Sequence, residues 1–164
     1  MMVLIRVGKK VRFTLSSCIV FLIDQLVKRE VRKLPLYKAA FSIEGLVEIV
    51  HYKNTGAAFS AFSDHPALIA LVSIALLVFL VTLLQDMRMN ASARTAVAVL
   101  IGGGAGNLFD RIVYGGVTDY IRLLWIPFPV FNFADICITG AVMLLVFFTI
   151  TGRLDHRPEK EIHG

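Results

Sequence analysis

Four stretches of the chain stay apolar long enough to cross a bilayer, and most charged residues fall between or beyond them. A helix needs roughly 20 mainly apolar residues to span the hydrocarbon core. The stretches run from about Val11 to Val27, from Pro66 to Leu84, from about Ala93 to Val113 and from about Val130 to Ile150. Lys28-Arg29-Glu30 follows the first, without a small-residue cleavage site, so this stretch reads as a retained span rather than a removable signal peptide. The second is almost purely apolar and reads as a packing or lipid-facing helix. The third is rich in small residues. Four spans leave both termini on one side of the membrane.

The connections differ in kind. The first, from about Lys28 to His65, is too long for a simple turn. Within it Phe41-Ser42-Ile43-Glu44 alternates apolar and polar, Gly45 can turn the chain, and Val47-Glu48-Ile49-Val50-His51-Tyr52 is β-branched and aromatic. The third connection, Tyr114 to Pro129, holds a short strand pattern around Val117 to Ile121 and a Pro127-Phe128-Pro129 break. Both lie on the same side. The expected fold is therefore a mainly α membrane protein, with four transmembrane helices and a small extracytoplasmic β-sheet from the first and third connections. Residues 1–152 are expected to form one domain, with the strand-bearing cradle inserted at about 34–62, and 153–164 a polar, poorly ordered cytoplasmic tail. No internal repeat or low-complexity tract is evident.

Composition agrees with this reading. Of 164 residues, 57% are hydrophobic and 18% charged, against roughly 25% charged in average soluble domains, and the mean hydropathy is +0.73. A formal net charge of +5 would raise the question of nucleic acid in a soluble chain. Here the basic residues flank apolar segments, as topology and anchoring signals do, and no nucleic-acid partner is expected. Nine Lys and Arg fall on the side of the termini and eight on the other. The positive-inside rule therefore favours cytoplasmic termini by a narrow margin. Cys18 and Cys137 both lie inside apolar segments and read as small buried hydrophobes, not as a disulfide or metal site.

The polar residues at membrane depth carry the chemistry. Asp119, in Gly115-Gly116-Val117-Thr118-Asp119-Tyr120-Ile121, and Asp135, in Phe131-Asn132-Phe133-Ala134-Asp135, stand 16 residues apart across a loop. A carboxylate at this depth usually faces a cavity, a partner or a substrate. Two held close cannot both ionise easily, so one stays protonated while the other acts as a base. That is the chemistry needed to attack a peptide bond with water. Asp24 and Lys28, four apart, share a helix face, and either close the end of the first helix as an ion pair or take part in the site. Gly102-Gly103-Gly104-Ala105-Gly106 offers a surface where another backbone can approach closely. Asn107 and Arg111 share a face, with Asp110 on a neighbouring one. Arg111 can hold a carboxylate or lipid phosphate by a bidentate contact, or snorkel to head groups. Asn54 alone is a turn or cap residue. In the four-span arrangement Asn54, Asn107, Arg111, Asp119, Asn132 and Asp135 all fall near one membrane face, where amide donors could hold a developing oxyanion.

Four ordered motifs resemble those of the bacterial lipoprotein signal peptidases (signal peptidase II). They are Asn54-Thr55-Gly56-Ala57-Ala58-Phe59, Gly106-Asn107-Leu108-Phe109-Asp110-Arg111, Val117-Thr118-Asp119-Tyr120 and Phe131-Asn132-Phe133-Ala134-Asp135, with Asp24-Gln25 and Lys28 fitting as well. The resemblance covers about Ser16 to Ile150. It implies an integral membrane aspartic peptidase that removes the signal peptide from diacylglyceryl-modified prolipoproteins, on the N-terminal side of the lipidated Cys. It implies a catalytic pair Asp119 and Asp135, with Asn54, Gly56, Asn107, Arg111 and Asn132 supporting the dyad or binding substrate, and Asp24, Lys28 and Gly103 supporting structure or activity. It implies no metal or organic cofactor, inhibition by a globomycin-type lipopeptide, contact with membrane lipids and a monomer. It places the chain in the bacterial inner membrane with cytoplasmic termini and a site near the outer face. Two positions depart from the family pattern: Ile136 stands where a small hydroxyl residue is common, and Thr118 where Val is common. A strand would point Thr118 away from Asp119.

Other classes remain open on residues alone. Asp24, Asp110, Arg111 and Asp135 could form a proton or ion relay in a small carrier, although no repeated half, common in carriers, is present. A non-catalytic lipid-binding subunit would tolerate neutral replacements of both aspartates.

Overall fold

The computed structural model describes residues 2–56, 66–85 and 89–154. The elements are α1 (Met2–Val31), β1 (Ala39–Ile43), β2 (Val47–Asn54), α2 (Pro66–Gln85), α3 (Ala91–Tyr114), β3 (Val117–Leu123) and α4 (Phe133–Ile150). Each apolar stretch thus forms one helix, and the two strand-bearing connections pair with each other. Residues 57–65, which take in the end of the expected cradle, and 155–164, the greater part of the expected tail, lie outside the described residues.

α3 is the central helix and packs against α1, α2 and α4. Its glycines explain how. A Cβ at Gly102 would stand 2.5 Å from the Ser17 carbonyl oxygen on α1, one at Gly103 2.9 Å from the Ala134 carbonyl oxygen on α4, and one at Gly104 2.9 Å from the Leu77 side chain on α2. Three consecutive residues therefore face three different helices, which only a chain without side chains there can approach so closely. Asn90 caps the start of α3 by accepting from the Ala93 N–H at 2.8 Å. Asn90 also holds the end of the described chain, through its N–H to the Leu154 carbonyl at 3.0 Å and its side-chain amide to the Arg153 carbonyl. Met89, Ala93 and Val97 form a small apolar cluster at this end, closed by Phe13, Leu145 and Phe148.

The helix bounds depart from the apolar stretches where polar residues turn inward. α1 continues to Val31, because Lys28 pairs with Asp24 at 2.8 Å inside the bundle. α4 begins only at Phe133. Phe131 is drawn into an extended bridge instead, exchanging backbone hydrogen bonds with Ile121 at 2.8 and 3.0 Å.

The sheet is antiparallel, in the order β1-β2-β3. β1 and β2 form a hairpin in which Gly45 has a φ of +70°, the left-handed conformation that glycine adopts at no steric cost. β2 and β3 pair with Tyr52 opposite Asp119 and Asn54 opposite Val117, after an irregularity beyond Ile49. Gly115, with φ +67°, ends α3 and turns the chain directly into β3.

Solvent exposure in this fold is inverted relative to a water-soluble protein. Asp24, Lys28, Asp110, Asn107, Thr118, Asp119 and Asn132 are buried, while Leu71, Phe79, Met143 and Ile150 are exposed. On α4 only Ala134 and Ala141 are buried. Apolar helices this exposed need lipid around them. Among the described residues, α3 and α4 are long and apolar enough to cross a membrane, and a shorter apolar helix covers Ala67–Thr82. Cys18 does not fit the sequence expectation: it is exposed on the outer side of α1, while Cys137 is half-buried, and neither is bonded.

Candidate active site

Asp119 and Asp135 reach the same place from different elements. Asp119 projects from β3 and is only 2% exposed. Its Oδ2 accepts from Asn54 Nδ2 at 2.9 Å and its Oδ1 from Asn132 Nδ2 at 2.6 Å. Asp135 stands in the first turn of α4. Its Oδ1 accepts from Asn107 Nδ2 at 2.8 Å and its Oδ2 from the Asn132 backbone N–H at 3.0 Å. In return the Asp135 N–H donates to Asn132 Oδ1 at 3.0 Å, which completes a capping box. Asn132 therefore bonds both carboxylates at once. Its side-chain amide also donates to Asn107 Oδ1 at 3.1 Å, so two amides tie the pair together.

The two carboxyls differ in surroundings. Burial pushes Asp119 up to about 7, the neighbouring Asp135 charge adds to that, and the hydrogen bonds from Asn54 and Asn132 oppose it. Asp135 accepts one side-chain amide N–H and one backbone N–H in the first turn of α4. Tyr120 is pushed up to about 12 by burial. Its hydroxyl accepts from the Phe133 N–H at 3.1 Å and holds the first turn of α4 against β3.

A cleft of about 750 Å³ opens from the two aspartates. Its polar end is Asn54, Asn107, Arg111, Asp119 and Asp135; its apolar flank is built by Trp125, Phe128, Ile136 and Met143, among others. Gly140 lines it too, with no atom within 4 Å of where a Cβ would stand. Arg111 stands between this cleft and a second groove of about 500 Å³ against α2, lined by Ala67, Leu71 and Ile74. Its described hydrogen bond is a long one, 3.4 Å to the Asn107 carbonyl.

Behind the dyad lies a buried charged cluster. Lys28 Nζ lies 2.8 Å from Asp24 Oδ2, 2.7 Å from Asn107 Oδ1 and 3.6 Å from Asp110 Oδ2. Asp24 Oδ1 accepts from the Ala134 N–H at 3.2 Å, joining α1 to the start of α4. Gly106 leaves the space that the Asp24 carboxylate occupies. Asp110 accepts from the Thr118 N–H at 2.9 Å and from Arg32 at 3.3 Å, and so fixes the strand residue next to Asp119. The Arg32 guanidinium lies 4.2 Å from the Tyr114 ring centre.

All ten residues singled out from the sequence lie in or against this assembly. Gly103 acts at the α3–α4 contact, and Gly56 donates its N–H to Asn54 Oδ1 at 3.0 Å, fixing the amide that serves Asp119. Ala57–Phe59 of that motif lie outside the described residues. The sequence reading did not single out Arg32 or the supporting role of Asp110. The i, i+4, i+8 spacing of Asp24, Lys28 and Arg32 is the signal that would have found Arg32. Thr118 turns its hydroxyl away from Asp119 and accepts from Arg32 at 3.1 Å. Ile136 faces the cleft; both oxygens of Asp135 are already bonded by Asn107 and Asn132. Among the described residues, no three of His, Cys, Asp and Glu are disposed to hold a metal ion.

The family profile described as signal peptidase (SPase) II matches residues 16–151. This chain belongs to the signal peptidase II family. A lipoprotein signal peptidase of Caldicellulosiruptor bescii is 36% identical over 130 residues, 79% of this chain and 85% of that protein. One of Pseudomonas fluorescens strain Pf0-1 is 41% identical over 138 residues, 78% of this chain and 81% of that protein. In three dimensions the fold is similar to a bacterial membrane enzyme solved by the in meso method at 2.3 Å resolution, with a TM-score of 0.79, 27% identity, and coverage of 92% of this chain and 93% of that one. The span matched to signal peptidase II contains both aspartates and the three asparagines that bond them.

Proposed function

We propose that this chain is a membrane aspartic endopeptidase that removes the signal peptide from diacylglyceryl-modified prolipoproteins, cutting on the N-terminal side of the lipidated Cys. The observation that carries this reading is the pair of carboxylates, one from β3 and one from α4, joined through Asn132 and Asn107 at the end of a largely apolar cleft.

In the proposed mechanism Asp135 is ionised, supported by its two N–H donors and the α4 N-terminus. Asp119, raised by burial to about 7, holds the proton. A water between them attacks the scissile carbonyl. Asp135 accepts its proton while Asp119 donates to the carbonyl oxygen, giving a tetrahedral diol. As that collapses, Asp135 passes its proton to the leaving nitrogen, the C–N bond breaks, and Asp119 recovers a proton from the diol. No acyl-enzyme forms. The pair titrates with two shared macroscopic pKa values. Arg111, beside the dyad and without a carboxylate within ion-pair distance among the described residues, is placed to hold a substrate carbonyl. The acyl chains lie along the apolar flank of the cleft, where a globomycin-type lipopeptide would compete.

The proposed topology has all four helices crossing the bacterial inner membrane, cytoplasmic termini, and the sheet and dyad near the extracytoplasmic face. Residues 1–152 form one peptidase domain, active as a monomer.

The test is a gel-shift cleavage assay on a diacylglyceryl-modified prolipoprotein with purified wild type, Asp119→Asn and Asp135→Asn. Wild type should cleave, and each variant should lose at least about 10³-fold in rate, within the range for a positioned acid or base. Near-normal cleavage by either variant, folded by its melting profile, would refute the dyad.

A further inference from the structure

We propose that Lys28 is a positioning residue for this reaction: its ammonium fixes which end of the Asn107 side-chain amide faces Asp135, and thereby keeps Asp135 ready to accept a proton. The inference rests on the dyad reading above.

An asparagine amide can turn end for end with little change in shape, so its neighbours decide its orientation. Asn107 Oδ1 receives two donors, Lys28 Nζ at 2.7 Å and Asn132 Nδ2 at 3.1 Å, while Asn107 Nδ2 donates to Asp135 at 2.8 Å. Turned over, the Asn107 NH₂ would meet an ammonium that has only donors, and its oxygen would face a carboxylate. The Asn132 amide cannot adapt, because its oxygen caps the Asp135 N–H and its nitrogen serves Asp119. Lys28 therefore supplies the shorter of the two donors that hold this orientation, and the one that lies outside the Asn132–Asp135 capping box. A simple ion pair does not require this placement. Asp24 and Lys28 are both fully buried, and the bond to Asn107 is the shortest that Lys28 makes. A donor held on an ionised carboxylate lowers its proton affinity; withdrawing that donor raises it.

The charged groups around this relay are Asp24 on α1, Arg32 just beyond it, Asp110 and Arg111 on α3, Asp119 on β3 and Asp135 on α4. Removing Lys28 alone would leave Asp24 without its cation, so the test removes both charges. Asn at position 24 can still accept from the Ala134 N–H. Two double variants, Asp24→Asn with Lys28→Met and Asp24→Asn with Lys28→Gln, differ in one property: Gln can donate to Asn107 and Met cannot.

Purified enzymes are assayed on a diacylglyceryl-modified prolipoprotein across pH, with melting temperatures in the same detergent. The Met variant should lose roughly 10–100-fold in kcat, as when a residue orienting a first-contact group is removed, with KM changed by less than about threefold. Its pH–rate profile should change on the acid side where that of the Gln variant does not, because the dyad, which titrates as a pair, has lost one N–H donor. The Gln variant should keep kcat within about fivefold of Asp24→Asn alone, and its acid limb should not move. Equal kcat and equal acid limbs in two folded variants would overturn the proposal. So would a Met variant whose activity falls only in proportion to its folded fraction. Should neither double variant fold, the single variants Lys28→Gln and Lys28→Met are compared in the same way, and equal kcat in the two overturns the proposal. Asp135→Asn run alongside separates the two failures: cleavage by it refutes the dyad itself, whereas its silence with matching Met and Gln variants refutes only the role of Lys28.

Discussion

Asp119 and Asp135 are the same side chain made different by what touches them. Asp119 sits buried on a strand with two side-chain amides; Asp135 heads a helix and takes one amide and one backbone N–H. The difference predicts a pH dependence of stability. In the fold Asp119 keeps its proton up to about 7, against an ordinary value of 3.8. Between those values the native state binds more protons than the unfolded chain, so stability falls as pH rises through that window. Asp119→Asn should flatten the melting temperature between pH 4 and pH 8 in detergent. A slope equal to that of wild type would mean that other groups set it. Activity has the same sign on its basic side. In the proposed mechanism Asp119 must be protonated to donate, so kcat/KM should fall as pH rises past about 7. At this scale the sequence picked out the polar residues that the fold brings together, since charges and amides in apolar surroundings stand out. It could not say which oxygen meets which nitrogen: Asn54 reads as a turn residue until β2 pairs with β3 and brings its amide to Asp119.

At the scale of elements, one capping box serves structure and chemistry together. Asn132 and Asp135 satisfy the first turn of α4 and, in doing so, orient Asp135. Hydropathy alone put the span three residues earlier, because Val130 and Phe131 are apolar in either conformation. What holds Phe131 extended is its bridge to Ile121, a contact with a different element that hydropathy along the chain does not report. The glycine run makes the second element-level prediction. A Cβ at Gly103 would press on the Ala134 carbonyl at 2.9 Å and on Ile138 at 3.1 Å. Gly103→Val should destabilise by about 1–3 kcal/mol, as overpacking does. It should also lower cleavage about 100-fold by shifting Asp135 against Asn107. Wild-type kcat in this variant would show that α4 can move without disturbing the site.

For the whole molecule, the inverted burial pattern dictates an environment. Buried Asp24, Lys28 and Asp110 beneath exposed Leu71, Phe79 and Ile150 are stable only with lipid outside and mutual pairing within. Ser42 lies on β1, whose residues are all exposed. In a Cys18→Ser, Cys137→Ser background, Ser42→Cys should react with a membrane-impermeant maleimide added to intact spheroplasts, and that background should still cleave substrate. Labelling only after the membrane is opened would invert the proposed topology.

The sequence by itself determined four helices and two strand-bearing connections, and picked out the polar residues that the fold brings together. Helix length, alternation and buried charge are local or compositional properties, and a motif carries its spacing with it. Only the tertiary structure decided how these parts act on one another. It decided that α3 uses neighbouring glycines for three helices, that Asp110 anchors the strand beside Asp119, and that Lys28 reaches the dyad through Asn107. Each of these depends on the register between elements dozens of residues apart, where a shift of a single residue would exchange a donor for an acceptor.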